Sequence, residues 1–450
     1  MKKGIAFEGP RVLMVGYNGA NNTGAEALLQ ADIDDVRAVL GAGAHITVPT
    51  LNEANLRRYV KESPTLAIAP MPTLFFGAVR RMVKDSDLVL LVEGSTYMDT
   101  WGSPLLWAFL WATKCAADMG KPTLAYAVDA GSLSPANRRR VRSIASRTGL
   151  IVTRNSAAAD RLRGIGVTAP ILSTADNAFV FQPREADRGW LAREWPRAAD
   201  GVVGLALVDF SLWPAVMRPW GRKERCYKWP YYFSSSPERS RYRETLARGY
   251  AALADHVAVS TGKAVALICM EQVDEALAEQ VHRRMRHPES ARRFSARQYD
   301  ASQMTCLLRD LDLLVTSRFH AAVLSLAAGV PQVAVHHDTR LATLYQDLGL
   351  KERWFVDPGI REWPARGSPA PEFFTPLRER VDLLLADPGL QQDSLRRGHA
   401  AHFARARQNR QFLSYFVAWN LPSAGVARDG PRARKSGPSG ASKGDSEWVA

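Results

Sequence analysis

Cysteine is scarce in this sequence and long apolar runs are missing. The four cysteines among 450 residues, at 115, 226, 269 and 306, lie far apart in the chain. Zinc sites and disulfide frameworks need closely spaced or regularly paired cysteines, so the sequence indicates neither. The uncharged run 101–113 is shorter than the ~20 residues of a membrane-spanning helix, and we expect a buried helix there. The N-terminus carries two lysines but no apolar run of signal-peptide length. These absences favour a protein of the reducing cytoplasm.

Lysine is also scarce, although the chain is basic. There are 12 lysines and 47 arginines against 45 acidic residues, and the formal charge is +14. Arginine binds planar anions bidentately, but net charge alone does not choose between nucleic acid, a membrane surface and an anionic small molecule. The stretch 423–450 is rich in Gly, Ser, Pro and Ala, and we expect it to be disordered. It has five basic and three acidic residues, so it gives no signal for a nucleic-acid partner.

Short apolar runs alternate with helical periodicity along most of the chain. We predict buried strands within 11–17, 44–50, 86–94, 121–131, 150–154, 170–176, 201–210, 263–271, 311–317 and 332–337. Helical segments lie between them, and this alternation is typical of parallel sheets with right-handed crossovers. The basic runs 138–142 and 283–297 are both expected on solvated helix faces.

The periodicity is lost near 183–200 and then restarts. The sequence therefore predicts an α/β protein of two Rossmann-like, doubly wound domains that face each other across a cleft. The expected units are 1–190, 198–370 and the C-terminal helices 371–422, followed by the disordered tail 423–450. Ligands in such folds bind at the carboxyl ends of the strands, so candidate residues are sought there.

Two strand ends of the first half carry candidate residues. The turn after the first strand contains Gly16, Gly19 and Gly24, a spacing that fits neither a dinucleotide fingerprint nor a phosphate-binding loop. A glycine turn that leads into a helix can still bind an anion, and tight-turn chemistry is the alternative. Glu93 and Asp99 follow the third strand, where an acid can point into the cleft and act as an acid or base. A role as a helix cap or turn acid stays open for both.

Two further strand ends carry arginine. Arg154 ends the fifth strand, and we expect its head to emerge at the sheet edge as an anion clamp, with a surface arginine as the alternative. Ser156 is expected to cap the next helix. Arg318 and His320 lie two residues apart at a strand-to-helix switch, so both can face one side. Together they predict a site for a carboxylate or phosphate with a proton donor beside it.

The segment 213–233 combines aromatic and basic residues without periodicity. Trp213, Trp220, Trp229 and Tyr231 belong to it, and aromatic rings stack on sugars or bases while basic groups hold phosphate. We predict a loop that rims the cleft and binds the acceptor. An insertion packed onto the second domain is the alternative.

At these positions the sequence resembles the polysaccharide pyruvyl transferase family. The turn 22–26 is similar to the family's first motif, and Glu93-Gly94 with Asp99 is similar to a glycine loop of one subgroup. Thr153-Arg154 resembles its Arg-acid-x-x-Ser turn with Asn155 in the acid's place, and Asp176 fits a later Asp-x-Ala-Phe turn. Arg318-Phe319-His320, followed by 329–331, resembles its most specific motif, Arg-x-His and Gly-Val-Pro. Residues 128–132 and Arg340 depart from the pattern, which has Gln-x-x-Gly-Pro and commonly Lys there.

The resemblance implies a GT-B-like fold and the transfer of pyruvate from phosphoenolpyruvate to a sugar as a ketal, with release of phosphate. It implies that donor-binding residues include Arg154, Arg318, Arg340, Gly24 and Glu26. His320 is the hypothesised proton donor, and Asp99 or Glu93 the base for the sugar hydroxyl. Neither a cofactor nor a metal is demanded.

The acceptor and the reaction have open alternatives. The acceptor sugar can be free, lipid-linked or polymeric, and contact with the inner face of the plasma membrane through the acceptor is one expectation. A nucleotide-sugar glycosyltransferase of the same fold is the second interpretation of the function. Such enzymes often carry two Glu separated by seven residues, and Glu271 and Glu279 have that spacing but lie one structural unit too early. A non-catalytic glycan-binding protein is the third interpretation, and Arg318 with His320 argue against it.

Overall fold

The computed structural model describes residues 9–100, 102–209, 215–218, 220–221, 226–228, 231–233, 237–359 and 371–421. The β-strands are β1 (Arg11–Val15), β2 (His45–Thr50), β3 (Leu66–Pro70), β4 (Leu88–Leu91), β5 (Thr123–Val128), β6 (Leu150–Thr153), β7 (Ile171–Ser173), β8 (Val202–Ala206), β9 (Ala215–Met217), β10 (Cys226–Lys228), β11 (Tyr231–Phe233), β12 (Ala264–Cys269), β13 (Ala291–Ser295), β14 (Leu313–Thr316), β15 (Gln332–Val335) and β16 (Phe355–Val356). The α-helices are α1 (Thr23–Leu40), α2 (Glu53–Leu56), α3 (Phe76–Lys84), α4 (Ser103–Asp118), α5 (Pro135–Ala145), α6 (Ser156–Gly164), α7 (Trp190–Glu194), α8 (Pro237–Thr261), α9 (Glu275–Arg284), α10 (Ala301–Arg309), α11 (Phe319–Ser325), α12 (Thr339–Asp347), α13 (Lys351–Trp354), α14 (Phe374–Ala386) and α15 (Gln392–Asn420).

The first half of the chain forms a parallel sheet with the strand order β3-β2-β1-β4-β5-β6-β7. Its central strands are fully buried, for example Leu88–Leu91, because helices cover both faces of the sheet. One face packs against α3, α4, α5 and α6. The other face packs against α1 and the end of α15. This is the doubly wound arrangement predicted from the alternation.

The second half repeats the design with the parallel order β13-β12-β8-β14-β15-β16. Helix α14 packs on this second sheet, whereas α15 runs back and buries Leu413, Phe416 and Val417 against the first sheet. The predicted fold class is therefore confirmed: two Rossmann-like sheets and a helical C-terminus. The proposed tail 423–450 lies outside the described residues.

Three local predictions were wrong. Arg292 and Arg293 belong to a strand, β13, whereas only the start of the basic run 283–297 is helical. The segment 213–233 is not an unpatterned loop, because β9, β10 and β11 within it form a small antiparallel sheet. Helix α6 is capped by Asn155, whose side chain accepts from the N–H of Ala158, and not by Ser156. No helix in the described part of the chain is long and apolar enough to cross a membrane.

Candidate active site

The two domains enclose a cleft cavity of about 200 Å³. The first domain contributes the turn after β1, the segments 71–75 and 93–95, and the start of α4. The second domain contributes the ends of β8, β12 and β14, and Tyr231 of β11. The loops that follow parallel strands meet here because both sheets point their carboxyl ends toward the cleft.

Arg318 lies in the wall of the cleft and is held by two carboxylates. Its Nε donates to Asp274 Oδ2 at 3.0 Å, Nη2 also donates to Asp274, and Nη1 donates to Glu271 Oε2 at 3.1 Å. The bidentate geometry fixes the plane of the guanidinium. Its side chain keeps 11% of its surface exposed, so the fixed group still faces the cleft. Burial raises the pKa of Asp274 to about 7, although the Arg318 charge acts in the opposite direction.

His320 lies in the same wall, two residues after Arg318, in the first turn of α11. Its Nε2 is 3.6 Å from Asp176 Oδ2, and its Nδ1 faces Gly24, where a Cβ atom would lie only 2.0 Å away. Glycine at position 24 is therefore required for the imidazole to occupy this place. The opposing effect of burial is outweighed by the charges of Arg154 and His320, which together hold the pKa of Asp176 well below its ordinary value.

Arg154 lies beneath this wall and not at the sheet edge. Its side chain is 1% exposed, with Nε 2.9 Å from Asp129 Oδ2 and Nη1 2.6 Å from Asp176 Oδ2. The guanidinium also lies 4.6 Å from the centre of the Phe319 ring. The expectation that the Arg154 head emerges at the sheet edge is wrong, because Gly94 and Phe319 cover it.

Glu93 is a buried carboxylate in the opposite wall of the cleft. It accepts from the N–H of Tyr17 at 3.3 Å and from the N–H of Ser95 at 3.1 Å. Burial raises the pKa of Glu93, and the nearby charges of His320 and Arg154 and the two N–H groups offset this only in part. A carboxylate with a raised pKa is suited to accept a proton near neutral pH. The hydroxyl of Tyr17 donates to Glu271 at 3.2 Å, so Tyr17 connects the acids of the two domains.

The sequence matches the family described as Polysaccharide pyruvyl transferase over residues 33–339. The match covers more than half of the chain and includes Glu93, Arg154, Arg318 and His320. The chain belongs to this family. Membership identifies a transferase that modifies polysaccharide, with a sugar or polysaccharide as acceptor. No curated protein sequence matches the chain significantly.

Solved structures support the fold of this pyruvyl transferase family member. A putative UDP-N-acetylglucosamine 2-epimerase from Listeria monocytogenes aligns with a TM-score of 0.58 and 11% identity, covering 92% of this chain and 96% of that protein. The UDP-GlcNAc 2-epimerase of Methanocaldococcus jannaschii aligns with a TM-score of 0.56 and 10% identity, over 90% and 99% of the two chains. Anabaena HepE in complex with UDP-glucose has a TM-score of 0.50 and 13% identity, over 92% and 100%. At these identities the likeness establishes a GT-B-like fold.

Two residues predicted from the motifs lie away from the cleft lining. Asp99 accepts from the N–H of Ser134 at 2.9 Å and from Asn137 Nδ2 at 2.8 Å, so it supports the start of α5. Glu26 lies between the domains, where it accepts from the N–H of Ala301 at 3.0 Å and pairs with Arg58 at 3.2 Å. Burial raises the pKa of Glu26 to about 8.

The glycine turn is used for domain contact as well as for the cleft. The N–H of Thr23, at the start of α1, donates to the carbonyl of Met270 at 2.9 Å, and Gln272 N–H donates to the carbonyl of Asn21 at 3.1 Å. The side chain of Asn22 caps the helix by accepting from Ala25 N–H. An N–H group at the start of α1, which could have bound an anion, therefore donates to the other domain, while Gly24 lines the cleft.

The residues predicted to bind the acceptor lie in different environments. Tyr231 lines the cleft, and burial raises the pKa of its hydroxyl. The Trp220 side chain is exposed to solvent. Trp213 and Trp229 lie outside the described residues. Arg340 lines the cleft beside Asp338, with Nε 2.8 Å from Asp338 Oδ2.

Sequence reasoning missed Asp129 and Asp274 as partners of the arginines, and it named Asp176 and Glu271 without assigning them this role. Asp129 follows β5, where the strand register shifts and Ala127 adopts a φ of 51°; such a bulge redirects the following side chain. Asn155 Nδ2 donates to Asp129 Oδ2 at 3.3 Å. Two of the departures from the family pattern, at 128–132 and at 155, are therefore in contact. Their common position after neighbouring strands was the available signal.

Proposed function

We propose that the protein transfers a pyruvyl group from phosphoenolpyruvate to two hydroxyls of a sugar, forming a ketal and releasing phosphate. The observation that carries the proposal is the pair Arg318 and His320, side by side in the cleft wall. Phosphoenolpyruvate has a carboxylate, a phosphate and an enol carbon that must be protonated. A fixed guanidinium next to an imidazole meets those needs.

The reaction requires one proton to be delivered and two to be removed. Protonation of the methylene carbon produces an oxocarbenium-like centre at the adjacent carbon. One sugar hydroxyl attacks this centre, the C–O bond to phosphate breaks, and the second hydroxyl attacks to close the ketal. Of the two hydroxyl protons, one balances the new methyl group and the other leaves with phosphate. No redox partner is required.

Arg318 and Arg340 are assigned to the donor anion. Arg318 uses three hydrogen bonds on Asp274 and Glu271, so its other N–H groups are free to bind carboxylate or phosphate. Arg154 does not line the cleft, and in this proposal it positions Asp176 instead of contacting the donor.

His320 is assigned as the proton donor and Glu93 as the hydroxyl base. Asp176 Oδ2 lies 3.6 Å from His320 Nε2, so the carboxylate faces this ring nitrogen. Nδ1, which faces Gly24 in the cleft lining, is then the nitrogen that donates to the methylene carbon. Glu93 is favoured over Asp99 as the base because Glu93 lines the cleft, whereas Asp99 is bound to the start of α5.

A nucleotide-sugar transferase of the same fold is the second candidate, favoured by the structural likeness to proteins described with UDP and UDP-glucose. The Glu pair that such enzymes use does not assemble here. Glu271 lines the cleft, but Glu279 lies on an exposed face of α9 in an ion pair with Arg283. The carboxylates near Arg318 support an arginine instead of presenting a pair for ribose.

Thermal unfolding with phosphoenolpyruvate, phosphate, UDP, GDP and CMP, each added alone, tests the proposal. A ligand at 100 times its Kd stabilises by about 2.7 kcal/mol. We expect stabilisation by phosphoenolpyruvate that is retained in His320→Asn, whereas phosphate release with an acceptor falls by roughly 10²–10⁴-fold in that variant. His287→Asn, at an exposed histidine, is the matched control. Stabilisation by a nucleotide alone would overturn the proposal and favour the second candidate.

A further inference from the structure

One face of the first domain exposes large apolar side chains. Leu74 is 79% exposed, Phe76 44% and Trp107 37%, and the nearby Trp111 is half-buried. They belong to the end of the 71–75 segment, to α3 and to α4. We name these four residues the apolar patch. Contiguous apolar surface of this kind on a folded domain marks an interaction site more often than single exposed residues do.

The apolar patch is held rigidly. The rings of Phe76 and Trp111 meet edge to face at 5.5 Å, and Trp111 Nε1 donates to the carbonyl of Phe76 at 2.8 Å. Trp107 Nε1 donates to Asn137 Oδ1 of α5 at 3.0 Å. Both indoles therefore keep a polar contact on the protein side and present ring surface outward. Tryptophan is enriched where an apolar phase meets water for this reason.

Basic residues predominate on the helices that carry and flank the apolar patch. Helix α4 packs between α3 and α5, and the three helices carry eight basic residues against one acidic residue, Asp118. The basic residues are Arg80, Arg81, Lys84, Lys114, Arg138, Arg139, Arg140 and Arg142. Lys114 Nζ lies 6.0 Å from the Trp111 ring centre, and the Arg140 guanidinium 5.6 Å from that of Trp107. At these two positions a cationic group lies beside an indole of the apolar patch.

The apolar patch is continuous with the cleft. Thr73 and Phe75, which line the cleft, immediately flank Leu74, and Phe75 directly precedes Phe76 along the chain. Leu105 and Ala108 of α4 also line the cleft, and they lie two residues before and one residue after Trp107. The same two segments therefore form an apolar wall of the site and an exposed apolar face beside it.

We propose that this face binds the surface of a bilayer that contains anionic phospholipid, and that binding brings the cleft to a lipid-linked sugar acceptor. Exposed apolar rings enter the interfacial region while the flanking arginines and lysines pair with anionic headgroups. A soluble acidic protein would complement the basic residues but would not need an apolar surface that leads into the cleft. A sugar linked to a lipid in an anionic bilayer needs both the basic residues and the apolar surface. The acceptor half of the inference rests on the proposed function, and bilayer binding does not.

Flotation with vesicles of phosphatidylcholine, with and without phosphatidylglycerol, tests the surface directly. The full chain is expected to float with the anionic vesicles at low salt and to dissociate as salt rises. Leu74→Ser with Phe76→Ser, and separately Arg81→Glu with Arg140→Glu, should each lower the partition coefficient by at least about tenfold. The matched controls are Trp419→Ser and Arg396→Glu with Arg397→Glu, at exposed positions of α15. They should retain binding.

Two measurements keep the outcomes distinct. Each variant should keep the thermal transition and the phosphoenolpyruvate-induced shift of the unmodified protein, which shows that the fold and the donor site are intact. No flotation of the unmodified protein, or equal losses in patch and control variants, would overturn the inference. The inference would also be overturned if the unmodified protein did not float but formed a dimer in solution that the patch variants dissociate. That result would assign the face to contact with a second copy of the chain. Flotation without any phosphoenolpyruvate shift would retain bilayer binding and reject the donor.

Discussion

Arg154 and Arg318 occupy similar positions after parallel strands of the two domains, but their side chains lie in different environments. Each comes directly after or within two residues of a buried parallel strand, and each is paired with two carboxylates. The side chain of Arg154 is 1% exposed and that of Arg318 is 11% exposed. Gly94 and Phe319 close over the first, whereas the cleft leaves the second accessible.

The comparison separates two roles that motifs do not distinguish. A buried ion pair costs desolvation, and removing one partner leaves an uncompensated charge in the interior. An equally well-held arginine at a cleft can exchange part of its hydrogen bonding with a ligand. We therefore expect Arg154 to act mainly through stability and the position of Asp176, and Arg318 mainly through donor binding.

Arg154→Met should have the largest effect on the free energy of unfolding. The change leaves Asp129 and Asp176 buried without their cation, and the expected loss is about 3–5 kcal/mol. Urea unfolding followed by fluorescence measures it. Arg138→Met, at an exposed position on α5, is the control and should change stability little. A loss below that range for Arg154→Met would mean that the two carboxylates relax to water or take up protons.

Arg318→Lys should weaken phosphoenolpyruvate binding by about 10- to 100-fold, because an ammonium group cannot bind bidentately. Retention of a positive charge near Asp274 and Glu271 should keep the loss of stability below that of Arg154→Met. Calorimetric titration gives the affinity. If Arg154→Met, measured at a temperature where it is folded, lowered the affinity for phosphoenolpyruvate more than Arg318→Lys does, the assignment of roles would be reversed.

Gly24→Ala should reduce turnover without removing donor binding. The new Cβ would lie 2.0 Å from His320 Nδ1, so the imidazole must shift, and a misplaced catalytic group costs about tenfold or more in kcat. Gly164→Ala, where no atom lies within 4 Å of the new Cβ, is the control. An unchanged kcat would show that the position of His320 relative to Gly24 does not limit the reaction.

Glu26→Gln extends the comparison to the domain junction, where the effect on stability should depend on pH. Burial raises the pKa of Glu26 from 4.5 to about 8, so between these values the folded state holds its proton more tightly than the unfolded state. The contribution of Glu26 to stability therefore falls as pH rises through that window. At about 1.4 kcal/mol for each pH unit over most of this window, the stability of Glu26→Gln relative to the unmodified protein should increase by about 3–4 kcal/mol from pH 5 to pH 8.

Urea unfolding of both proteins at the two pH values measures that difference. Glu279→Gln, at an exposed glutamate on α9, should show no such trend. A difference that is constant with pH, or that has the opposite sign, would place the titration of Glu26 outside this window.

The alternation of apolar runs and helical periods was enough to predict both sheets and the helical C-terminus. Strands β3 and β13 were not predicted, because Leu66–Pro70 alternates buried and exposed residues and Ala291–Ser295 carries two arginines. Edge strands are half-covered, so they lack the continuous apolar run by which central strands are found. The short antiparallel strands of 215–233 were missed because they are three residues long.

The candidate site was predictable to the extent that it lies at strand ends. Arg318, His320, Glu93 and Gly24 meet in the cleft because parallel strands bring their carboxyl ends to one edge. Asp99 also follows a strand, but its carboxylate turns to the N–H of Ser134. Local sequence does not distinguish a side chain that enters a cleft from one that caps a neighbouring helix.

The sequence by itself determined the class of fold, the strand ends that carry chemistry and the family. The tertiary structure alone decided which of those residues face the cleft. In the folded protein Arg154 and Glu26 are buried between packed elements, whereas Arg318 faces the cleft. The His320 ring occupies a place that only glycine at position 24 leaves free. The reason is that strand periodicity depends on residues close together in the sequence, whereas the exposure of a side chain depends on distant segments that pack against it.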